Sequence, residues 1–242
     1  VSTAETSRRP SGNGDLQYWR DHTQVALQPV AAPSILGLFA FAGATFIVTA
    51  HMAGWYGDST SPQFLFPFAA MFGGVAQLLA GMWSYRARDA LATAMHGTWG
   101  SFWIGYGILY TLVATGVLTE PATFVELGYW FIALAAITWV GAIAALAENI
   151  SLFLTLGALA AGATLAAIAF IGGNSTVETT AGWVFLASAA LAFYTASSML
   201  LEATYKRVIL PLGRLSGANK PGQPPREVIQ FEHGEPGVKV GQ

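Results

Sequence analysis

Few side chains in the long apolar stretches of this chain can do polar chemistry. His51 lies late in the first apolar run with Thr49 beside it. Gln77 sits in the middle of the second run, His96 opens the third, and Glu202 lies near the end of the sixth. Ionisable and amide groups are expensive to bury in lipid, so each reads as a position with a partner or a task. Two readings stand for His51: a residue satisfied near the membrane surface, or one that lines a solute pathway and exchanges protons. Gln77 either ties helices together or touches substrate. His96 adjoins a polar loop and reads as structural and solvated. The two histidines belong near opposite membrane faces, which argues against shared ligation of one haem. No Lys or Arg lies within these runs, so a tightly held anion has no guanidinium to grip. What remains is a weakly held solute met by hydroxyls, amides and helix N-termini. That suits a channel or carrier, which must release its cargo.

The familiar catalytic patterns are missing. Gly100-Ser101 is not followed by the second glycine of a nucleophile elbow. There is no Gly-rich phosphate loop with its Lys and no His-Glu-x-x-His zinc pattern. The chain has no cysteine, which removes disulfides, thiolate metal sites and a cysteine nucleophile together. The chain therefore reads as non-enzymatic, with no cofactor, no metal and no nucleic-acid partner expected.

The elements that must position these residues are six apolar runs. The chain is 54% hydrophobic and 10% charged, whereas a soluble domain is roughly 25% charged. One integral membrane domain is expected over residues 31–213, between a polar N-terminal segment (1–30) and a flexible tail (214–242). Spans are placed near Ile35–Trp55, Phe64–Tyr85, Thr98–Leu118, Leu127–Ala147, Leu152–Ile171 and Trp183–Tyr205. Each is close to the ~20 residues that cross a hydrocarbon core. Open sheets cannot exist in lipid. These runs do not alternate as barrel strands do, so the fold class is all-α: a six-helix transmembrane bundle.

Charge sets the orientation. Between Asp21 and Tyr205 the only cations are Arg86 and Arg88. With six spans, that loop and both termini share a side, and Asp58, Glu120, Glu126 and Glu178 lie opposite. Positive charge near span ends stays inside, so both termini are expected in the cytoplasm and the protein in the cell membrane. The first apolar run begins only after about thirty residues, so no conventional signal peptide is expected at the start of this sequence. Trp55, Tyr56, Trp83, Tyr85, Tyr129, Trp130 and Trp183 form an aromatic belt at span ends. Dense glycines, such as Gly73, Gly74, Gly81, Gly100 and Gly162, let helix backbones approach closely, either within one bundle or at a subunit interface or pore wall. Asn149-Ile150-Ser151 and Asn174-Ser175-Thr176 match glycosylation sequons. Neither is expected to be used, since the first faces the cytoplasm and the second hugs a span.

Five motifs in order resemble the acetate uptake transporter family, the succinate–acetate permeases. They are Ala32-Pro33-Ser34-Ile35-Leu36-Gly37-Leu38 at the first helix, Phe72-Gly73-Gly74-Val75-Ala76-Gln77 with Ala80-Gly81 in the second, and Trp99-Gly100-Ser101-Phe102-Trp103 in the third. Ala181-Gly182-Trp183 opens the sixth, and Ile209-Leu210-Pro211-Leu212-Gly213 closes the match. The sequence departs from the family pattern at several points. Ala32 replaces an Asn and Ile35 a Pro. Arg88-Asp89-Ala90-Leu91-Ala92 stands where the family has G-N-T-F-G. Ser84 replaces an acid, and Phe185 a glycine. These departures bear on acetate specificity more than on fold.

The resemblance implies a six-helix protomer assembled as a homohexamer in the lipid bilayer, each protomer with its own pathway for acetate or a similar carboxylate, succinate included. It assigns the apolar constrictions of that pathway to Phe41, Trp99 and Leu159. The alternative is that Phe41 and Leu159 simply fill a bundle core. With no cation in the core, the carboxylate must be held by neutral donors, for which Thr45, Thr49, His51, Gln77, Ser101 and Tyr194 are the candidates. A channel for another small solute such as formate, and a non-transporting membrane subunit of a larger assembly, remain as alternatives.

Overall fold

A computed structural model describes residues 30–119 and 124–215. The expected N-terminal segment up to Pro29, the Glu120-Pro121 break and the tail from Ser216 onward lie outside the described residues. Within them are six long helices: α1 (Pro33–Met52), α2 (Ser61–Ala87), α3 (Ala90–Ala114), α4 (Val125–Ala145), α5 (Ile150–Gly172) and α6 (Ser175–Tyr205). No strand occurs among the described residues. Neighbouring helices pack in chain order, and the ring closes where α6 meets α1; the α3–α4 seam is the thinnest of these contacts.

Five of the six helices are long and apolar enough to cross a membrane, with α3 outside that set. At 25 residues α3 has the length. Its Thr93, His96, Thr98, Ser101 and glycines dilute its hydropathy. The protein is a multi-pass membrane protein.

The helix starts follow from caps. Asp89 Oδ1 accepts from the backbone N–H of Ala92 at 2.8 Å, and Asn149 Oδ1 from that of Leu152 at 2.8 Å. Asn174 Oδ1 accepts from both Thr176 and Val177 at 3.1 Å. Each satisfies N–H groups that a helix start leaves without partners. The caps explain why α3 and α6 begin eight residues before the expected Thr98 and Trp183: a polar first turn extends a span once its N-terminus is held. They also give the two Asn-x-Ser/Thr sequences a structural job. α1 has no such help, because Ala32 at its cap position makes no side-chain bond and only Pro33 pre-sets the first turn.

α2 is not uniform. Pro67 lies inside its first segment, and Ala69–Ala76 winds as a π-helix before the α-helix resumes at Gln77. A proline removes one N–H and crowds the carbonyl of the preceding turn, so rewinding just beyond it is where the strain can be absorbed. The wide turn presents Gly73 and Gly74 to α1 and α3. A Cβ at Gly73 would lie 2.6 Å from Ala44 Cβ and 2.8 Å from the Trp103 ring, and one at Gly74 would lie 2.8 Å from Ile104. For these glycines the reading of tight packing within the bundle holds.

The chain after α6 returns along the bundle. The N–H groups of Ile150 and Ser151 donate to the carbonyls of Gly213 and Leu212 at 3.0 Å. Tyr194 Oη donates to the Pro211 carbonyl at 2.7 Å, and Ser198 Oγ to that of Leu210 at 2.6 Å. Arg214 closes the strap with a two-pronged pair to Glu202, at 3.1 and 2.6 Å. The Glu202 carboxylate at the membrane end thus has a guanidinium partner from outside the span.

Candidate functional site

The centre of the bundle holds a cavity of about 70 Å³. α1 contributes Thr45, Val48, Thr49 and Met52, and α3 contributes Trp99, Phe102, Trp103 and Tyr106. The far wall is Leu127 and Phe131 from α4, Leu159 and Phe170 from α5, and Phe185 from α6. Phe41, Thr45 and Thr49 recur every four residues and so lie on one face of α1, as Trp99 and Trp103 do on α3. Most of the wall is aromatic or aliphatic; its hydroxyl-bearing residues are the two α1 threonines and Tyr106.

Two of the three expected constriction residues, Trp99 and Leu159, line this cavity, and the third, Phe41, does not line it but packs against Trp99. Phe41 meets Trp99 edge-on, with ring centroids 6.3 Å apart. All three are buried, at 2% exposure each. The Trp99 indole donates to Thr138 Oγ1 at 3.0 Å, and Thr138 donates in turn to the Leu134 carbonyl at 2.6 Å. The Trp99 ring is therefore locked by a bond as well as by packing. Thr138 was not among the residues singled out in sequence. It lies 39 positions from Trp99, and nothing local announces the contact. Trp103 was present in the third motif but was assigned no task.

The six neutral-donor candidates separate. Thr45 and Thr49 face the cavity; Thr49 Oγ1 donates to the Thr45 carbonyl at 2.7 Å, while Thr45 Oγ1 is buried without a partner. Gln77, just after the π segment, is buried with Oε1 unpartnered but is not part of the cavity wall. Ser101 is exposed and donates to the Gly97 carbonyl at 2.8 Å; it borders a shallower groove in the α3–α4 seam. Two residues on from Trp99, it points the other way round the helix. Tyr194 spends its hydroxyl on the strap. His51 sits in the last turn of α1, its Nδ1 3.0 Å from the Tyr56 carbonyl oxygen.

His96 is buried rather than solvated. Its ring lies flat over Gly37, where a Cβ would be 2.5 Å from both Cε1 and Nε2 and 2.6 Å from Nδ1. The solvated role expected for it is therefore corrected: the ring is buried against α1, in space that is free only because position 37 is glycine. Gly37 and His51 stand fourteen residues apart on α1, about 21 Å along the helix, so the two imidazoles occupy different ends of the bundle. Around His51 lie Asp58 and Glu178, and the charge of the imidazole acts on each of the two carboxyls. Asp58, held by Thr60 and Ser61, has its carboxyl drawn below the usual range by these hydrogen bonds. At the His96 end, burial, with the Asp89 carboxylate adding to it, pushes Glu148 in the α4–α5 loop up to about 7.

The departures from the family pattern also have places. Ser84 is fully buried, its Oγ donating to the Ala80 carbonyl at 2.8 Å. Phe185 lies in the cavity wall against Gly162, where a Cβ would be 2.6 Å from its ring. A side chain where the resemblance has glycine fills part of the central space.

Residues 14–216 match the model of the GPR1/FUN34/yaaH family. The chain belongs to this family. It is similar to the succinate-acetate/proton symporter SatP of Escherichia coli K12, at 28% identity over 187 residues, covering 76% of this chain and 96% of that one. It is also similar to acetate permease A of Emericella nidulans, at 34% identity over 111 residues, 46% of this chain and 36% of that one. Among solved structures it matches the bacterial acetate channel SatP with a TM-score of 0.70 and 26% identity, over 76% of this chain and all of that one. As a member of a family whose similar proteins are transporters and channels, it works in transport, not as an enzyme.

Proposed function

We propose that the protein is a channel or carrier for acetate and related short carboxylates, succinate among them, crossing the cell membrane with six spans and both termini in the cytoplasm. The observation that carries the reading is the apolar cavity lined by Trp99 and Leu159, with Phe41 packed edge-on against Trp99, inside a bundle of this family. A ring of large apolar groups gates by dewetting. A small monocarboxylate tolerates such a ring better than a hydrated inorganic ion, because one of its ends is a methyl group.

α3 serves as the sixth span. Its small and aromatic residues pack against α1, α2 and the cavity, so it needs less apolar surface than a helix facing lipid. Arg86 and Arg88 at the end of α2, Glu148, and the strap with Arg214 gather at one end of the bundle, while Asp58 and Glu178 lie at the other. That polarity supports a cytoplasmic position for the arginine end. Copies of the chain assemble as a homohexamer in this reading. The exposed Phe64, Phe68, Met71, Leu79 and Trp83 along α2 offer an apolar face for such contacts.

The test is uptake of labelled acetate into proteoliposomes, with formate, lactate and succinate as competitors. Saturable acetate uptake that short carboxylates suppress is the expected result. Uptake of formate alone would move the reading to another small solute. No uptake of any of them would leave a non-transporting membrane subunit.

A further inference from the structure

The wall of the central cavity presents no polar atom. Thr45 Oγ1 and Trp103 Nε1 are covered and have no hydrogen-bond partner, and Thr49 Oγ1 is spent on the Thr45 carbonyl. Such a wall offers no grip on a charge, whose removal from water goes uncompensated there. A small uncharged molecule meets no such cost. The cavity volume of about 70 Å³ is roughly five times the 10–15 Å³ that one water requires on the same measure. Apolar cavities of this kind stay dry and take guests such as benzene or xenon.

The groove in the α3–α4 seam lies directly beside this cavity and has a volume of about 200 Å³. Phe102, Tyr106 and Leu127 line both hollows, so one layer of side chains separates them. On the outer side, Ser101, Gly105 and Leu109 recur every four residues along α3, and Trp130 of α4 completes the groove. The Ser101 hydroxyl is turned back onto its own helix, which leaves the groove almost wholly apolar. Gly105 makes the opening. A Cβ at Gly100 would lie 2.7 Å from the Leu78 backbone nitrogen, so that glycine seats α2; a Cβ at Gly105 would have nothing within 4 Å. A glycine weakens a helix unless its bareness is used, and here it keeps the groove open. The seam is also the thinnest contact in the ring, so its two helices part with the least loss of packing.

We propose that the central cavity is a binding site for small, uncharged, lipid-soluble molecules, and that they enter it from the bilayer through the α3–α4 seam, past Phe102, Tyr106 and Leu127. The wall excludes charge. The volume limits a guest to a xenon atom or about four or five heavy atoms, the size of a short alkanol. Apolar molecules collect in hydrocarbon rather than in water, so an opening on the lipid side meets them where they are concentrated. The inference rests on the six-span part of the transport reading, which puts α3 in the bilayer, and not on which solute is carried.

The probe is xenon. Wild-type crystals held under xenon pressure should show the atom among Val48, Trp99, Phe102 and Leu159. The route is read in proteoliposomes, by NMR saturation transfer between lipid-dissolved and protein-bound xenon, with wild type, Gly105→Leu and Gly157→Leu. The first variant fills the groove. The second adds the same bulk on α5, where a Cβ also meets nothing within 4 Å, at a residue that lines neither hollow. Transfer should slow about tenfold in Gly105→Leu, a rise in the entry barrier, and stay at the wild-type rate in Gly157→Leu. If Gly105→Leu does not fold, Ser101→Leu decides, since Ser101 is exposed on the same face. No xenon in the cavity overturns the site. Xenon in the cavity with a wild-type transfer rate in the folded groove variant overturns the route and the proposal with it. Acetate uptake by the same vesicles is a separate result: its absence counts against the transport reading and leaves the xenon outcome standing.

Discussion

Thr138 and Glu148 show how single side chains tune a bundle that is otherwise held by apolar packing. Thr138 accepts the Trp99 indole N–H at 3.0 Å. Thr138→Val keeps the shape but strands a buried N–H, which costs about 1–3 kcal/mol. Denaturation in detergent should show that loss, and Thr138→Ser should recover most of it. Glu148 makes a different prediction. Burial, followed by the Asp89 carboxylate, raises its carboxyl from 4.5 to about 7. The folded state therefore holds a proton that the unfolded state releases. Stability from this group is full below about 4.5 and is lost as pH rises through about 7. Glu148→Gln should flatten the fall in melting temperature between those two pH values. The chemistry at this scale was legible where it followed helix register. Phe41, Thr45 and Thr49 recur every four residues, and the step from Trp99 to Ser101 already turns Ser101 away from the cavity. The unpaired Trp103 and the Trp99–Thr138 bond were not legible, because they depend on which helices become neighbours.

The helices themselves were largely legible in the apolar runs, since lipid leaves the backbone few alternatives. Their starts were less so. Asn149 and Asn174 read as loop residues or sequons, yet each turns out to cap the helix it precedes. The π turn at Ala69–Ala76 carries no pattern beyond Pro67 and a pair of glycines. At the other end of α2, Arg88 closes the helix in the left-handed region, at φ 59°. This is the place where the family pattern has glycine, which takes that conformation without strain. Arg88→Gly should therefore raise stability by roughly 1 kcal/mol, read as a higher melting temperature. A clear drop would mean that the guanidinium does more at this end than the backbone strain costs.

At the scale of the whole molecule, an apolar cavity sits within a ring of helices whose two ends are sorted by charge. The sorting of charge between the ends was legible because only Arg86 and Arg88 interrupt a stretch without cations; the orientation proposed from it is open to a direct test. The chain has no cysteine, so single substitutions report their own side without background. Ser59→Cys should react with a membrane-impermeant maleimide on intact cells, and Arg88→Cys only after permeabilisation. The reverse pattern would invert the orientation.

The most direct measurement of the central claim compares lactate with acetate influx in proteoliposomes carrying wild type or Phe41→Ala. Removing a packed core Phe costs roughly 3–5 kcal/mol, so the comparison uses only protein that elutes as folded oligomer. A constriction at Phe41 and Trp99 predicts a low lactate-to-acetate ratio in the wild type. In Phe41→Ala the ratio should rise about tenfold, the change that about 1.4 kcal/mol of barrier represents. Folded Phe41→Ala with the wild-type ratio, or a wild type that passes no acetate, would contradict the account.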